Sequence, residues 1–178
     1  MKTLTLLRHA KSSWDDMAMR DFDRPLNARG RRAARTVGRE MRRLGLNFDQ
    51  VLASPAVRVI ETLHDVEEGY GRELGTRFDR RIYLASAELL LEIAQGANEG
   101  ASSLLLVGHN PGLENLALLL TSDGSLRAEV AAKYPTGTLA EMTFSIDDWA
   151  QLERGAGTLT RFIRPRDLDP ELGPEEDS

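Results

Sequence analysis

The chain of 178 residues contains no cysteine, which excludes disulfides and thiolate metal sites built from its own residues. No apolar run approaches the roughly 20 residues needed to span a bilayer, so no membrane partner is expected. The apolar stretch after Met1 turns polar at Arg8. That is too short for the core of a signal peptide, and no small-residue cleavage site follows. These absences together predict a cytoplasmic protein. Histidine is also scarce, with only three residues, His9, His64 and His109, so where they fall along the chain carries weight.

The formal net charge of −5 is a local property. Residues 167–178 hold six acids (Asp167, Asp169, Glu171, Glu175, Glu176 and Asp177), two prolines and no base. Without those six charges the remainder stands at +1. Such a segment cannot bury enough apolar surface to offset its ordering entropy, so residues 167–178 are expected to be a disordered acidic tail. Residues 1–166, with a chain-wide composition of 41% hydrophobic and 29% charged residues, suit a single globular domain. The Arg-rich stretch from Arg29 to Arg43 alternates with apolar positions, includes Glu40 and lacks interleaved aromatics. It reads as a solvated helix face, and no nucleic-acid partner is expected.

Strands and helices alternate. Thr3 to Leu7 is a short apolar run that predicts a buried strand ending at Arg8. Ala33, Val37, Met41 and Leu44 share one face of a helix closed by Gly45. Val51-Leu52-Ala53 predicts a second strand. Ser54-Pro55 then reads as a helix start, with serine as cap and proline in the first turn. Ala56, Val59, Ile60, Leu63 and Val66 form that helix's apolar face. Ile82-Tyr83-Leu84 suggests a short third strand, and Ser86 opens a helix with Leu89, Leu90, Ile93 and Ala94 inward. Leu104 to Val107 is apolar at every position, as strands covered on both faces are. Asn110-Pro111 repeats the cap-plus-proline device. Thr138–Ile146 and Thr158–Ile163 predict two closing strands, close enough in sequence for an antiparallel edge. The pattern predicts an α/β fold, a three-layer α/β/α sandwich around a mainly parallel sheet.

Polar chemistry collects where three predicted strands end. The first runs into Arg8-His9, the second into the helix start that carries Arg58, and the fourth into Gly108-His109. In open α/β sheets ligands bind beyond the carboxyl ends of the strands. If these strands are parallel neighbours, two histidines, two arginines and two helix N-termini converge there. Arginine forks match phosphate oxygens bidentately and neutralise charge on a transferring phosphoryl group, so the set requires no metal. An unprotonated imidazole can serve as nucleophile, and adjacent arginines oppose its protonation. His64 lies on a helix with no motif around it and reads as a surface residue.

Four segments together carry a resemblance. Leu6-Leu7-Arg8-His9-Ala10 resembles the Arg-His-Gly signature of the histidine phosphatase superfamily, the phosphoglycerate mutase-like enzymes. Pro25 to Gly30 is similar to the family's Leu-x-x-x-Gly turn, Ser54 to Thr62 to its Ser-Pro-x-x-Arg-x-x-x-Thr segment, and Val107 to Gly112 to its second histidine motif. The resemblance implies a phosphoglycerate mutase-like fold. It also implies that His9 is phosphorylated during turnover and that Arg8, Arg58 and His109 complete a metal-free phosphate pocket needing no cofactor. The compact length and the opening Arg-His-Ala-Lys-Ser-Ser-Trp look most like the bacterial phosphohistidine phosphatase branch. That implies a phosphorylated protein, such as a histidine phosphotransfer domain, as partner.

Two departures from the family pattern matter. Ala10 stands where glycine is usual, which is harmless only if its backbone φ is negative. No carboxylate is marked as the general acid that an alkoxide leaving group needs. Glu88 at a helix start is the nearest candidate and Asp15 a weaker one, while the bland reading of Glu88 is an acid favouring a helix N-terminus. Phosphohistidine can leave with less help because its nitrogen takes a proton from solvent, so the missing acid favours that substrate. A small-molecule phosphomonoesterase acting on a sugar or nucleotide phosphate is the alternative enzyme. A non-catalytic phosphate-binding module is the alternative of another class.

Overall fold

A computed structural model of the chain describes residues 1–173. Its six strands are β1 (Lys2–Arg8), β2 (Gln50–Ala53), β3 (Arg77–Phe78), β4 (Ser103–Gly108), β5 (Leu139–Phe144) and β6 (Thr158–Ile163). They form one sheet in the order β3-β2-β4-β1-β5-β6. The pairings β1–β4, β2–β4 and β2–β3 are parallel, whereas β5 runs antiparallel to both β1 and β6. The sheet is therefore mainly parallel with an antiparallel edge. Helices α1 (Ala28–Arg43) and α2 (Val57–Tyr70) cover one face. Helices α3 (Ala87–Gln95), α4 (Gly112–Leu120) and α5 (Ser125–Ala132) cover the other, and a short α6 spans Pro165–Leu168.

The unbroken apolar run of β4 follows from this layering. Leu104 and Leu106 pack with Leu90 and Leu116, while Leu105 and Val107 point the opposite way among Val37, Val59 and Leu63. A strand with helices on both faces has no polar side to show. On the face that α1 and α2 cover, the two helices approach until glycine is required at both surfaces. A Cβ on Gly38 would lie 2.2 Å from the Val66 carbonyl oxygen, and one on Gly69 2.2 Å from that of Arg35. Register then aligns the business end of the sheet. Arg8 pairs with Gly108, and Ala53 with Val107, so β1, β2 and β4 deliver their next residues to the same edge.

The structure departs from the sequence expectations in places. Ile82–Leu84 is not a strand. A capped turn occupies Arg80–Ile82, with the Asp79 carboxylate accepting from the Arg81 amide at 3.0 Å, and the third strand is the earlier pair Arg77–Phe78. Ile82 is buried against the sheet from this turn. Helix α2 begins at Val57 rather than Pro55, with Ala56 at its N-cap. Helix α4 begins at Gly112, and the Asn110 side chain still accepts from the Glu114 amide at 3.2 Å. Helix α5 was not foreseen, since only Val130 of its residues is buried and it gives no periodic signal.

The acidic segment also departs from expectation as far as it is described. Residues 167–173 are ordered by α6 and a further turn at Pro170–Leu172, and Leu172 is only 2% exposed. Asp169 and Glu171 both pair with Arg32 of α1, at 2.6 and 2.7 Å. The acids meet the arginine-rich face of α1, and one leucine is buried, which composition alone does not show. Glu175, Glu176 and Asp177 lie outside the described residues. Among the described residues, no helix is long and apolar enough to cross a membrane.

Candidate active site

The carboxyl ends of β1, β2 and β4 bring His9, Ser54 and His109 together, and the first turn of α2 adds Arg58. Both histidines are buried, at 5% and 3% exposure. Their ring centroids are 5.3 Å apart. The hydrogen bonds assign their tautomers. His9 Nδ1 lies 2.7 Å from the Ala10 carbonyl oxygen and donates to it. That leaves the Nε2 lone pair free to face Arg58, whose Nε donates to it at 3.4 Å. His109 Nδ1 accepts from an Arg58 terminal nitrogen at 3.3 Å, so its Nε2 donates to the Ser54 hydroxyl at 2.8 Å. One guanidinium thus touches both imidazoles.

The backbone around His9 is fixed from three sides. The His9 amide donates to the Gly108 carbonyl at 3.1 Å, and the Gly137 amide donates to the carbonyls of both Arg8 and His9. The Ala10 amide donates to Thr62 Oγ at 2.9 Å, and that hydroxyl donates to the Arg58 carbonyl at 2.6 Å. Thr62 therefore ties the loop after β1 to the first turn of α2, which spaces His9 from Arg58. Among the described residues, Leu84 is the one non-glycine with positive φ. Ala10 accordingly lies in a region open to any L residue, and its methyl group is fully buried without backbone strain.

Electrostatics keep both rings neutral. Burial is the first cause holding His9 well below the ordinary histidine value, and the charges of His109, Arg58 and Arg8 add to it against the opposing Ala10 hydrogen bond. Burial and then the Arg58 charge push His109 down to about 3. Arg8 is buried and donates to the Tyr134 carbonyl at 2.8 Å. It also lines an open cleft of about 440 Å³ with Asn110, Pro111, Glu114, Lys133 and Tyr134.

The structure thus joins four of the residues expected from sequence: His9, Arg8, Arg58 and His109. It does not join the carboxylates proposed as acids. Glu88 is exposed in the first turn of α3, and among the described residues no hydrogen bond or ion pair links it to the pocket. Asp15 is exposed, with its amide bonded to Ser13. His64 is exposed on α2. Among the described residues, His64, Asp65 and Glu68 form the one His/Cys/Asp/Glu cluster with ligand atoms close enough for an ion, but Asp65 is engaged by Arg31 and Arg35.

A carboxylate that sequence reasoning passed over, Asp21, contacts Arg58. It sits in a turn at Asp21–Asp23 within an aperiodic polar stretch, where no pattern singles it out. It accepts from Arg58 at 3.0 Å, from the Tyr83 hydroxyl at 2.6 Å and from Arg24 at 3.0 Å. Burial alone would raise its carboxyl, but the bonds from Tyr83, Arg24 and Arg58 outweigh that and hold it well below the usual carboxylate range. At neutral pH it is an anion and has no proton to give. Tyr83 also sets its ring edge against His109, with centroids 5.4 Å apart.

Buried arginines face a fixed imidazole lone pair, an arrangement chemically suited to an anionic group. The family model of the histidine phosphatase superfamily (branch 1) matches residues 4–102. The chain belongs to that superfamily. It is 33% identical over 164 residues to the uncharacterized Mycobacterium tuberculosis protein Rv1276c, covering 90% of this chain and all of that one. Among solved structures it resembles the provisionally named phosphohistidine phosphatase SixA of Nakamurella multipartitia, with a TM-score of 0.81 and 28% identity over 92% of this chain and 96% of the other. The protein given the same provisional name from Agrobacterium tumefaciens superposes with a TM-score of 0.77 at 27% identity, over 92% and 98% of the two chains. The chain therefore has the phosphoglycerate mutase-like fold and is a phosphatase of the histidine phosphatase superfamily.

Proposed function

We propose that the protein hydrolyses phosphohistidine on another protein through a covalent phosphohistidine intermediate on His9. The observation that carries this reading is the His9 ring itself. Its Nδ1–H is tied to the Ala10 carbonyl, and its Nε2 lone pair faces the Arg58 guanidinium. In the first step Nε2 attacks phosphorus, and the substrate's P–N bond breaks with its electron pair passing to the leaving imidazole. In the second step water attacks the phosphorylated His9, releasing phosphate and restoring the free ring. Arg8 and Arg58 offset the negative charge on the phosphoryl oxygens, a task a metal ion would otherwise perform, while neutral His109 holds a terminal nitrogen of Arg58 in place.

The choice of substrate turns on the proton that a leaving group needs. An alkoxide leaves only with a proton, and the carboxylate that contacts Arg58, Asp21, is held ionised. The nitrogen of phosphohistidine takes its proton from solvent. The names of the structural neighbours point the same way.

The test offers the purified protein a phosphohistidine-bearing phosphotransfer domain and, separately, p-nitrophenyl phosphate and a panel of sugar phosphates, with EDTA present. Rapid loss of phosphate from the histidine protein, abolished by His9→Ala and indifferent to EDTA, supports the proposal. Preference for one ester would shift the substrate to a small molecule. In that case Glu88→Gln should cut turnover about 10²-fold or more, whereas under the present reading it leaves turnover within about twofold. Binding of phosphate compounds with no turnover of any would identify a binding module instead.

A further inference from the structure

Arg58 has five N–H donors in a rigid fork, and their destinations divide cleanly. The inner edge faces the two histidines, with Nε on His9 and one terminal nitrogen on His109. The outer edge is held by one residue. Asp21 takes one terminal nitrogen with its backbone carbonyl at 2.7 Å and the other with its carboxylate at 3.0 Å. Asp21 is itself fixed. Tyr83 donates to the same carboxylate oxygen and Arg24 to the other one. Arg24 is anchored in turn by the Ser12 hydroxyl at 2.9 Å and by the Trp14 ring, 3.6 Å from its guanidinium carbon. A loop residue, partly open to solvent with a side chain 45% exposed, is thereby made rigid by three side chains.

We propose that Asp21 is a positioning residue for phosphoryl transfer, gripping the outer edge of the Arg58 guanidinium so that its inner edge stays aimed at the phosphoryl group on His9. The proposal rests on the reading of His9 and Arg58 as the phosphoryl pocket, though on no particular substrate. The bidentate grip leaves the fork one orientation, and positioned charges lose much of their effect when displaced by about an ångström. The competing reading is that Asp21 merely neutralises a buried arginine. A neutralising role would affect folding. A positioning role is lost when Arg58 is removed.

The experiment compares wild type, Asp21→Asn, Arg58→Ala and the double variant, with Asp23→Asn as control because Asp23 lies in the same turn and pairs with exposed Arg20. Turnover of p-nitrophenyl phosphate and calorimetric binding of tungstate are the readouts, after thermal melts show each variant folded. Asp21→Asn should lower kcat about 10- to 100-fold in the wild-type background and by less than about twofold in the Arg58→Ala background. Tungstate binding should weaken with Asp21→Asn, because the fork is no longer held with its inner edge on the oxyanion, and should not weaken when Arg58 is already absent; tighter binding, as removal of a merely neutralising charge would give, counts against the proposal. This second readout decides the matter if Arg58→Ala turnover is below detection. Equal losses in both backgrounds, or a folded Asp21→Asn with kcat within about twofold of wild type, would overturn the assignment to Asp21 alone. Wild type that binds no tungstate would overturn the phosphoryl-pocket reading and this proposal with it.

Discussion

Replacing His109 by asparagine should flatten the protein's response to acid. His109 is 3% exposed, accepts from Arg58 and is pushed down to about 3. Unfolded, the same ring titrates near 6.5. Below that value the unfolded chain takes up a proton at this position and the folded protein does not, so stability falls as pH falls, from about 6.5 down to about 3. One group protonated in only one state contributes about 1.4 kcal/mol per pH unit. Between pH 7 and pH 5 the unfolded ring goes from mostly neutral to almost wholly charged, which amounts to about 2 kcal/mol. The sum does not depend on the folded value once that is below about 4. Asparagine has a similar reach and no titration in this range. Urea unfolding of both proteins at pH 7 and pH 5, in phosphate-free buffer, gives the comparison, since every other titrating group is common to the two. Wild type should lose about 2 kcal/mol more than His109→Asn across that interval. Equal losses would mean that the folded ring titrates normally and that the Arg58 contact does not hold it neutral.

Other substitutions test the supports of the site. Thr62→Val keeps the shape but removes the acceptor of the Ala10 amide, leaving a buried donor unpaired. It should cost about 1–3 kcal/mol in urea unfolding and slow turnover by loosening His9 against Arg58. Gly38→Ala would set a methyl group 2.2 Å from the Val66 carbonyl, and overpacking of this kind costs about 1–3 kcal/mol or more, read as a lowered melting temperature. Ending the chain after Arg166 exposes the pocket that Leu172 fills. It should destabilise the protein by about 1.5–3 kcal/mol, read as a lowered melting temperature.

How much could be read before the fold was known varied by element. β4 was legible because four consecutive apolar residues have no other comfortable place than a sheet covered on both sides. His9 and His109 were legible because each directly follows a strand, and the parallel register of Arg8 with Gly108 then brings them to one edge. Arg58 was legible through the Ser54–Thr62 segment. Ser54 was read only as a helix cap, and its bond to His109 needed β2 and β4 to be neighbours. The 167–173 segment was misread because the burial of Leu172 and the pairing with Arg32 depend on α1 lying beside it.

The sequence by itself determined the alternation of strands and helices, the strand ends where the histidines and arginines sit, and the lack of an evident acid. Those follow from periodicity and from the few histidines, which are local properties of the chain. Tertiary structure alone decided how far the two rings lose their affinity for protons, and that Asp21 meets both Arg58 and Tyr83. These depend on distances between residues 37 to 62 positions apart and on exclusion of water, and neither is encoded in any short stretch of sequence.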